Sequence, residues 1–192
     1  MRGRSGPVRI VGGRHRGRRL VAPEGRDTRP TTDRTREALF NILSHAAWAP
    51  DLDGAVVLDG FCGTGALGLE ALSRGAVHCS FLDLGRAALE AVRANVATLG
   101  EEANATILRA DVTKPPAPRQ PCDLVFLDPP YGKDLAPRAL EALARSGWLA
   151  PGALAVVEVA EGDPLPLPAG FSAVDERRYG DTRVAFLTFA RD

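Results

Sequence analysis

The residues best suited to chemistry form the tetrapeptide Asp128-Pro129-Pro130-Tyr131. It follows the apolar run 124–127, which predicts a buried strand that leads directly into a carboxylate. The two prolines remove two backbone N–H donors and stiffen the loop, so that it presents carbonyl acceptors. A carboxylate, a rigid carbonyl and an aromatic ring suit a flat base with an exocyclic amine. These four residues are therefore the candidate catalytic residues; the alternative is an Asp-Pro turn with a surface tyrosine.

A glycine-rich loop runs from Asp59 to Gly65 after the first strand predicted for the main domain. Gly63 and Gly65 allow a tight turn and a close backbone approach to a ligand. Together with Gly68 they also match the GxGxxG pattern that is typical of dinucleotide-binding folds. Asp59 separates the two interpretations, because a carboxylate repels a pyrophosphate and attracts an amino-acid ammonium group.

Two more aspartates end the next two candidate strands. Asp83 is placed to accept hydrogen bonds from both ribose hydroxyls, and Leu84 behind it can cover an adenine face. Asp111 can accept a hydrogen bond from an adenine amine, with Val112 as an apolar wall. One such aspartate is typical of an ordinary strand end. Four at consecutive strand ends indicate a ligand site, because ligands of open α/β sheets bind beyond those ends.

The elements that must position these residues alternate along the chain. Strands are predicted at 55–59, 77–83, 105–108, 123–128 and 153–159, and helices at 66–74, 87–99 and 136–148. Nearly continuous apolar strands that alternate with helices predict a doubly wound parallel sheet covered on both faces. The end of the chain departs from this pattern, because 171–179 and 183–190, joined by Gly180-Asp181, predict an antiparallel hairpin.

The N-terminal segment is strongly basic. Residues 1–36 carry eleven arginines and a net charge of +8, although the formal net charge of the whole chain is zero. Residues 8–11 and 18–22 flank a Gly-Gly turn and predict a small hairpin whose polar positions are almost all arginine. A basic arm on an acidic body indicates a polyanionic partner such as a nucleic acid, with a solubilising tail as the alternative. The arginines expected to contact RNA are Arg14, Arg16, Arg18, Arg19, Arg29 and Arg36.

Length and composition set the organisation of the chain. The 192 residues predict a basic extension at 1–32 and one main domain at 33–192, whose first helix is capped by Thr32 or Asp33. No apolar run can span a bilayer, and the N-terminus lacks the apolar core of a secretory signal. The three cysteines are widely spaced without a CxxC pair, which argues against a disulfide framework or a zinc site. We expect a cytoplasmic monomer without a metal.

The motifs together resemble a known family. Asp59-x-x-x-Gly63-x-Gly65, with Asp83, Asp111 and the DPPY tetrapeptide, resembles class I S-adenosylmethionine-dependent amino-methyltransferases. More narrowly, the chain resembles the RsmD family of bacterial 16S rRNA guanine-N2 methyltransferases. The stretches that carry this narrower resemblance are 9–13, 29–37, 39–43, 65–76 and 178–182. They span nearly the whole chain in the order of the family.

The resemblance implies a seven-stranded Rossmann-like α/β sheet, doubly wound, with a C-terminal antiparallel hairpin. It implies S-adenosylmethionine as the cofactor and methylation of one guanine N2 near the ribosomal P site, on assembled 30S particles. The residues expected to bind the cofactor are Asp59, Phe61, Gly63, Gly65, Asp83, Leu84, Asp111 and Val112. Four positions depart from the family pattern and bear on cofactor affinity: Gly60, Cys62, Asp83 and Gly85.

The expected mechanism is direct in-line transfer of a methyl group to the guanine N2. Asp128 and the Pro129 carbonyl would accept hydrogen bonds from the amine and orient its lone pair, while Tyr131 stacks on the base. A DNA amino-methyltransferase is the nearest alternative, because DPPY also serves adenine and cytosine. Alternatives from other classes are a nicotinamide dehydrogenase and a non-catalytic RNA-binding assembly factor.

Overall fold

The computed structural model describes residues 8–22 and 33–190. The four helices in this part of the chain are α1 (Asp33–His45), α2 (Ala66–Ser73), α3 (Arg86–Leu99) and α4 (Leu135–Arg145). The seven strands are β1 (Val56–Gly60), β2 (His78–Asp83), β3 (Ala105–Arg109), β4 (Cys122–Leu127), β5 (Leu149–Ala160), β6 (Phe171–Tyr179) and β7 (Thr182–Phe189). None of the helices described is long and apolar enough to cross a membrane.

All seven strands form one sheet in the order β3-β2-β1-β4-β5-β7-β6. Strands β1 to β5 pair in parallel, whereas β7 pairs antiparallel with both β5 and β6. The chain moves outward from β1 to β3 and returns to the other side of β1 with β4, so that the strand order reverses between β1 and β4. The predicted doubly wound sheet with its C-terminal antiparallel hairpin is confirmed, and its ligand site is expected at this reversal.

The sheet carries an apolar core on each face. One core contains Phe40, Phe126 and Phe186 together with buried residues of α2 and α3, and the other packs α4 and Trp148 against the opposite face. The prediction that α4 extends to Trp148 is wrong. Gly147 adopts φ +77°, which ends the helix after Arg145, and Trp148 turns into the core, where 2% of it is exposed.

The N-terminal residues 8–22, here called the basic hairpin, are packed onto the first core. Ile10 N–H donates to the Arg18 carbonyl at 2.9 Å, and Leu20 N–H donates to the Val8 carbonyl at 2.8 Å. Val8, Ile10 and Leu20 are all buried among residues of α1 and α2. The hairpin is therefore anchored by apolar burial, while its arginines face outward. The predicted boundary between residues 32 and 33 borders the segment outside the described residues and stays a prediction.

Candidate active site

The loop between β1 and α2 has the tight turn that its glycines predict. Gly63 and Gly65 adopt φ +53° and +75°, in the left-handed region that favours glycine. A Cβ at Gly65 would also lie only 3.1 Å from the Val92 side chain. Phe61 adopts φ +59° although it is not a glycine, which is a strained conformation of the kind that clusters at ligand sites.

Asp59 lies beneath this loop and is almost fully buried, with 3% of it exposed. Its Oδ2 accepts a hydrogen bond from the Gly68 N–H in the first turn of α2, at 2.9 Å. Burial raises the pKa of Asp59 to about 8; the Gly68 hydrogen bond opposes the increase, and the Asp83 charge adds to it. A cationic ligand beside Asp59 would favour its ionised form, which suits the ammonium group expected from the sequence.

Asp83 holds the glycine loop against the end of β2. Its Oδ2 accepts a hydrogen bond from Gly63 N–H at 3.1 Å, and its Oδ1 accepts one from Gly85 N–H at 2.7 Å. Each carboxylate oxygen has two acceptor positions, so Asp83 retains capacity for ribose hydroxyls. The sequence did not indicate this loop-holding role. Leu84 beside it is 58% exposed and open to a flat ligand.

Asp111 and Val112 follow β3 on the same edge of the sheet. Asp111 Oδ1 accepts hydrogen bonds from the Thr113 N–H and hydroxyl at 2.8 and 2.7 Å, and these bonds lower the pKa of Asp111. Val112 is buried beneath Gly60, where a Cβ would lie 3.1 Å from the Val112 side chain and 2.8 Å from that of Leu127. Gly60 therefore fits its neighbours, and a larger side chain there would require them to move.

Asp128 lies directly after β4 and beside a carboxylate that the sequence analysis missed. The parallel register pairs Leu127 with Val157, so the next residues, Asp128 and Glu158, lie side by side. Asp128 lies two residues after Phe126, and Glu158 lies two residues after Val156, with which Phe126 is paired. On the other side of β4, Phe126 is paired with Asp59. Since alternate residues of a strand share a face, one face of β1, β4 and β5 carries all three carboxyl groups.

The three carboxyl groups affect one another. Burial raises the pKa of Asp128 well above its usual range, and the charges of Glu158 and Asp59 raise it further. The only sequence signal for Glu158 is a single acidic residue at the end of an apolar run, which is also typical of an exposed strand end. Among the described residues, no group of three or more His, Cys, Asp or Glu side chains is placed to hold a metal ion.

Tyr131 connects the tetrapeptide to the C-terminal strands. Its hydroxyl donates to Glu158 Oε1 at 3.3 Å and lies 3.1 Å from the Thr182 hydroxyl at the start of β7. Half of Tyr131 is exposed, so a ring face remains available for stacking. Pro130 lines an open cleft beside Tyr131, together with the rest of 129–137 and with Glu158, Val159, Asp163 and Pro164. Its polar and aromatic lining suits a base.

The expected RNA-contacting arginines differ in their surroundings. Arg14 bonds to Glu101 at 3.0 Å through Nε, and Arg18 donates to the Thr98 carbonyl at 2.8 Å. These two contacts fix the basic hairpin on α3 and the turn that follows it. Arg16 and Arg19 are also exposed on the hairpin surface. Arg29 lies outside the described residues.

Arg36 requires a correction, because only 1% of it is exposed. Its guanidinium donates to Asp33 Oδ1 at 2.8 Å and to the Arg9 carbonyl. Its Nε lies 3.8 Å from Glu70 Oε2, in a residue that is itself fully buried. Arg36 therefore joins α1, α2 and the basic hairpin, and its burial leaves no surface for a phosphate. The sequence could not distinguish it from the exposed arginines nearby.

Comparisons with known proteins agree with this arrangement. The profile of a family described as Conserved hypothetical protein 95 matches residues 8–188. The Ribosomal RNA small subunit methyltransferase D of Escherichia coli is 40% identical over 190 residues, which cover 98% of this chain and 92% of that protein. The protein of the same name from Haemophilus influenzae is 38% identical, covering 91% of this chain and 90% of its own length. The solved structure of yhhF from Escherichia coli superposes with a TM-score of 0.82 at 35% identity, covering 97% of this chain and 100% of that one.

Proposed function

The chain belongs to the family described as Conserved hypothetical protein 95, the RsmD family that its motifs resemble, and we propose that it methylates a guanine N2 in 16S rRNA on 30S particles. It is an S-adenosylmethionine-dependent methyltransferase. The placement of Asp128 and Tyr131 on the carboxyl edge that also holds the glycine loop supports transfer to an amine, and the 40% identity to the Ribosomal RNA small subunit methyltransferase D of Escherichia coli supports rRNA as the substrate. Membership of this family excludes the alternative that the glycine loop belongs to a nicotinamide dehydrogenase.

The residues at the strand ends fit the donor. S-adenosylmethionine supplies an electrophilic methyl group on a sulfonium, flanked by an amino-acid group and an adenosine. Asp59 would hold the ammonium, because its buried carboxylate gains from a neighbouring cation. Asp83 would accept hydrogen bonds from the ribose hydroxyls. Leu84, Asp111 and Val112 would surround the adenine, while Phe61, Gly63 and Gly65 shape the loop.

The tetrapeptide would act on the base. The Asp128 carboxylate and the Pro129 carbonyl accept hydrogen bonds from the guanine amine and aim its lone pair, while Pro130 stiffens the loop. Because the pKa of Asp128 is raised, this carboxylate is also suited to take the amine proton as the N–C bond forms. Stacking on the exposed ring of Tyr131 would contribute about 1–3 kcal/mol per base.

The basic hairpin would bind the RNA backbone. Arg14, Arg16, Arg18 and Arg19 are exposed on residues 8–22, and the hairpin packs on the sheet face that carries the three carboxyl groups. Phosphate contacts from these arginines would make binding strongly dependent on salt concentration. Arg29 remains a further predicted contact.

The test is transfer of labelled methyl groups from S-adenosylmethionine to naked 16S rRNA, to 30S particles and to duplex DNA. We expect label in the 30S particles, recovered as N2-methylguanosine, and its loss with Asp128→Ala. The matched control is Glu161→Gln, which changes an exposed carboxylate paired with Arg178 outside the site. Label in DNA alone would contradict the rRNA substrate, and RNA binding without transfer would favour an assembly factor.

A further inference from the structure

The DPPY tetrapeptide does not by itself select a base. Adenine, cytosine and guanine all carry an exocyclic amine that Asp128 and the Pro129 carbonyl can accept from. The bases differ beside that amine: in guanine it is flanked by the N1–H donor and the N3 acceptor, whereas in adenine and cytosine its one neighbouring ring nitrogen is an acceptor. A residue that selects guanine must therefore present an acceptor beside Asp128.

Glu158 occupies that position. The register between β4 and β5 places it next to Asp128 on the same face of the sheet, and it lines the open cleft together with Tyr131. We propose that Glu158 accepts the guanine N1–H while Asp128 accepts from the N2 amine, and that this pair selects guanine over adenine and cytosine. The inference rests on the proposed function and assigns the base specificity of the same site to one residue.

The side chain of Glu158 is oriented by its contacts with neighbouring residues. It lies on a central strand of the sheet, and the Tyr131 hydroxyl donates to its Oε1 at 3.3 Å. That hydroxyl is itself 3.1 Å from the Thr182 hydroxyl, so a chain of two contacts ties the carboxylate to β7. In its ionised form this carboxylate can only accept hydrogen bonds. An adenine or cytosine ring nitrogen would meet it as a second acceptor, unpaired and partly desolvated.

A purely structural role for Glu158 gives a different result. If Glu158 only supported Tyr131, its loss would lower transfer to every base by the same factor. If it accepts the N1–H, its loss changes the ratio between bases that differ at N1. The ratio of kcat/KM values for two such bases separates the two roles, whatever the effect on stability.

The experiment uses RNA in which the methylated guanosine, once mapped with the wild-type protein, is replaced by 2-aminopurine. This base retains the amine at C2 but has an acceptor at N1 and lacks the O6 atom. The wild-type protein should prefer guanosine by about ten- to a hundredfold in kcat/KM. In Glu158→Gln the side-chain amide can accept from guanine or donate to 2-aminopurine, so the preference should fall by about tenfold or more. Any effect of the missing O6 is common to both proteins.

Two further variants complete the experiment. Glu158→Ala removes the acceptor, so it should lower transfer to guanosine and leave transfer to 2-aminopurine little changed. Glu161→Gln, an exposed change of the same chemical kind, should keep the wild-type ratio. An unchanged ratio in both Glu158 variants would overturn the inference. The proposed function is judged separately, because it fails only if the wild-type protein does not methylate guanosine in the natural RNA.

Discussion

The two halves of the site are constructed differently. On the side of β1 to β3, the carboxylates accept backbone hydrogen bonds from nearby residues: Asp59 from Gly68, Asp83 from Gly63 and Gly85, and Asp111 from Thr113. On the side of β4 and β5, Asp128 and Glu158 come from segments 30 residues apart in sequence and repel each other. The carboxylates of the first half are therefore already held in place by the backbone. The second is electrostatically strained until a ligand supplies hydrogen-bond donors.

The largest expected effect is that of Asp128→Ala, which should impair methyl transfer without impairing cofactor binding. Asp128→Ala should lower kcat/KM on 30S particles by about 10²–10⁴-fold, because the amine loses its orienting acceptor and its proton acceptor. The affinity for S-adenosylhomocysteine should change by less than about threefold, since the carboxylates of the first half are intact. Single-turnover transfer and calorimetric titration measure the two quantities. A comparable loss of cofactor affinity would show that the halves are not separate.

Asp83→Ala should give the opposite pattern. The change leaves Gly63 and Gly85 without their acceptor, and hydrogen bonds to a charged group contribute about 1.5–3 kcal/mol each. We expect the affinity for S-adenosylhomocysteine to fall by about tenfold or more and the melting temperature to fall with it. The exposed Glu90 on α3 supplies the control, Glu90→Gln. Unchanged cofactor affinity would contradict the loop-holding role.

A pH profile sharpens the contrast on the side of β4 and β5. Burial first, then the charges of Glu158 and Asp59, raise the pKa of Asp128, and Tyr131 is the other titratable group beside it. Asp128 must be ionised to take the amine proton, so kcat/KM should rise as the pH rises through this raised pKa. Glu158→Gln removes one repelling charge, which lowers the pKa of Asp128 and moves the rising limb to lower pH. If the rising limb of the pH profile stays at the same pH in Glu158→Gln, the charge of Glu158 does not raise the pKa of Asp128.

The pH dependence of stability tests the buried half of the same network. The folded protein raises the pKa of Asp59 to about 8, so Asp59 stabilises the fold fully only below its unfolded value of 3.8. This contribution is lost progressively as the pH rises towards 8. Asp59→Asn should therefore make the free energy of unfolding less dependent on pH between 4 and 8 than in the wild-type protein. Denaturant titrations across that range measure it, and parallel curves for the two proteins would contradict the burial argument.

The smallest expected effect concerns the surface outside both halves. Substituting Arg16 or Arg19, both exposed on the basic hairpin, with alanine should weaken RNA binding and reduce the slope of log affinity against log salt by about one. The affinity for S-adenosylhomocysteine should not change. Arg36→Ala should instead lower the melting temperature, because it removes a buried guanidinium that joins Asp33, Glu70 and the Arg9 carbonyl.

Local patterns predicted most elements of the fold. The alternation of apolar strands and helices identified the order of elements, and β6 was predicted with its observed bounds. The mispredicted bounds lie where a glycine or a Pro-Gly pair interrupts the pattern of apolar residues. Gly147 ends α4 three residues early, and β5 begins at Leu149 before a Pro-Gly pair that reads as a turn. At Gly147 the local preference of a glycine ended the periodic pattern, whereas at the Pro-Gly pair the pairing of Leu149 with Cys122 outweighed the local turn preference.

The sequence by itself determined the residues after each strand and therefore the chemistry of the carboxyl edge. Strand ends, glycine turns and Asp-Pro-Pro-Tyr are local features, and a parallel sheet brings them together whatever its details. Only the tertiary structure decided which charges meet. The register of β4 against β5 placed Glu158 beside Asp128, and the packing of α1 against the basic hairpin buried Arg36. Side-chain partners across such distances depend on register and burial, which no single segment of the chain encodes.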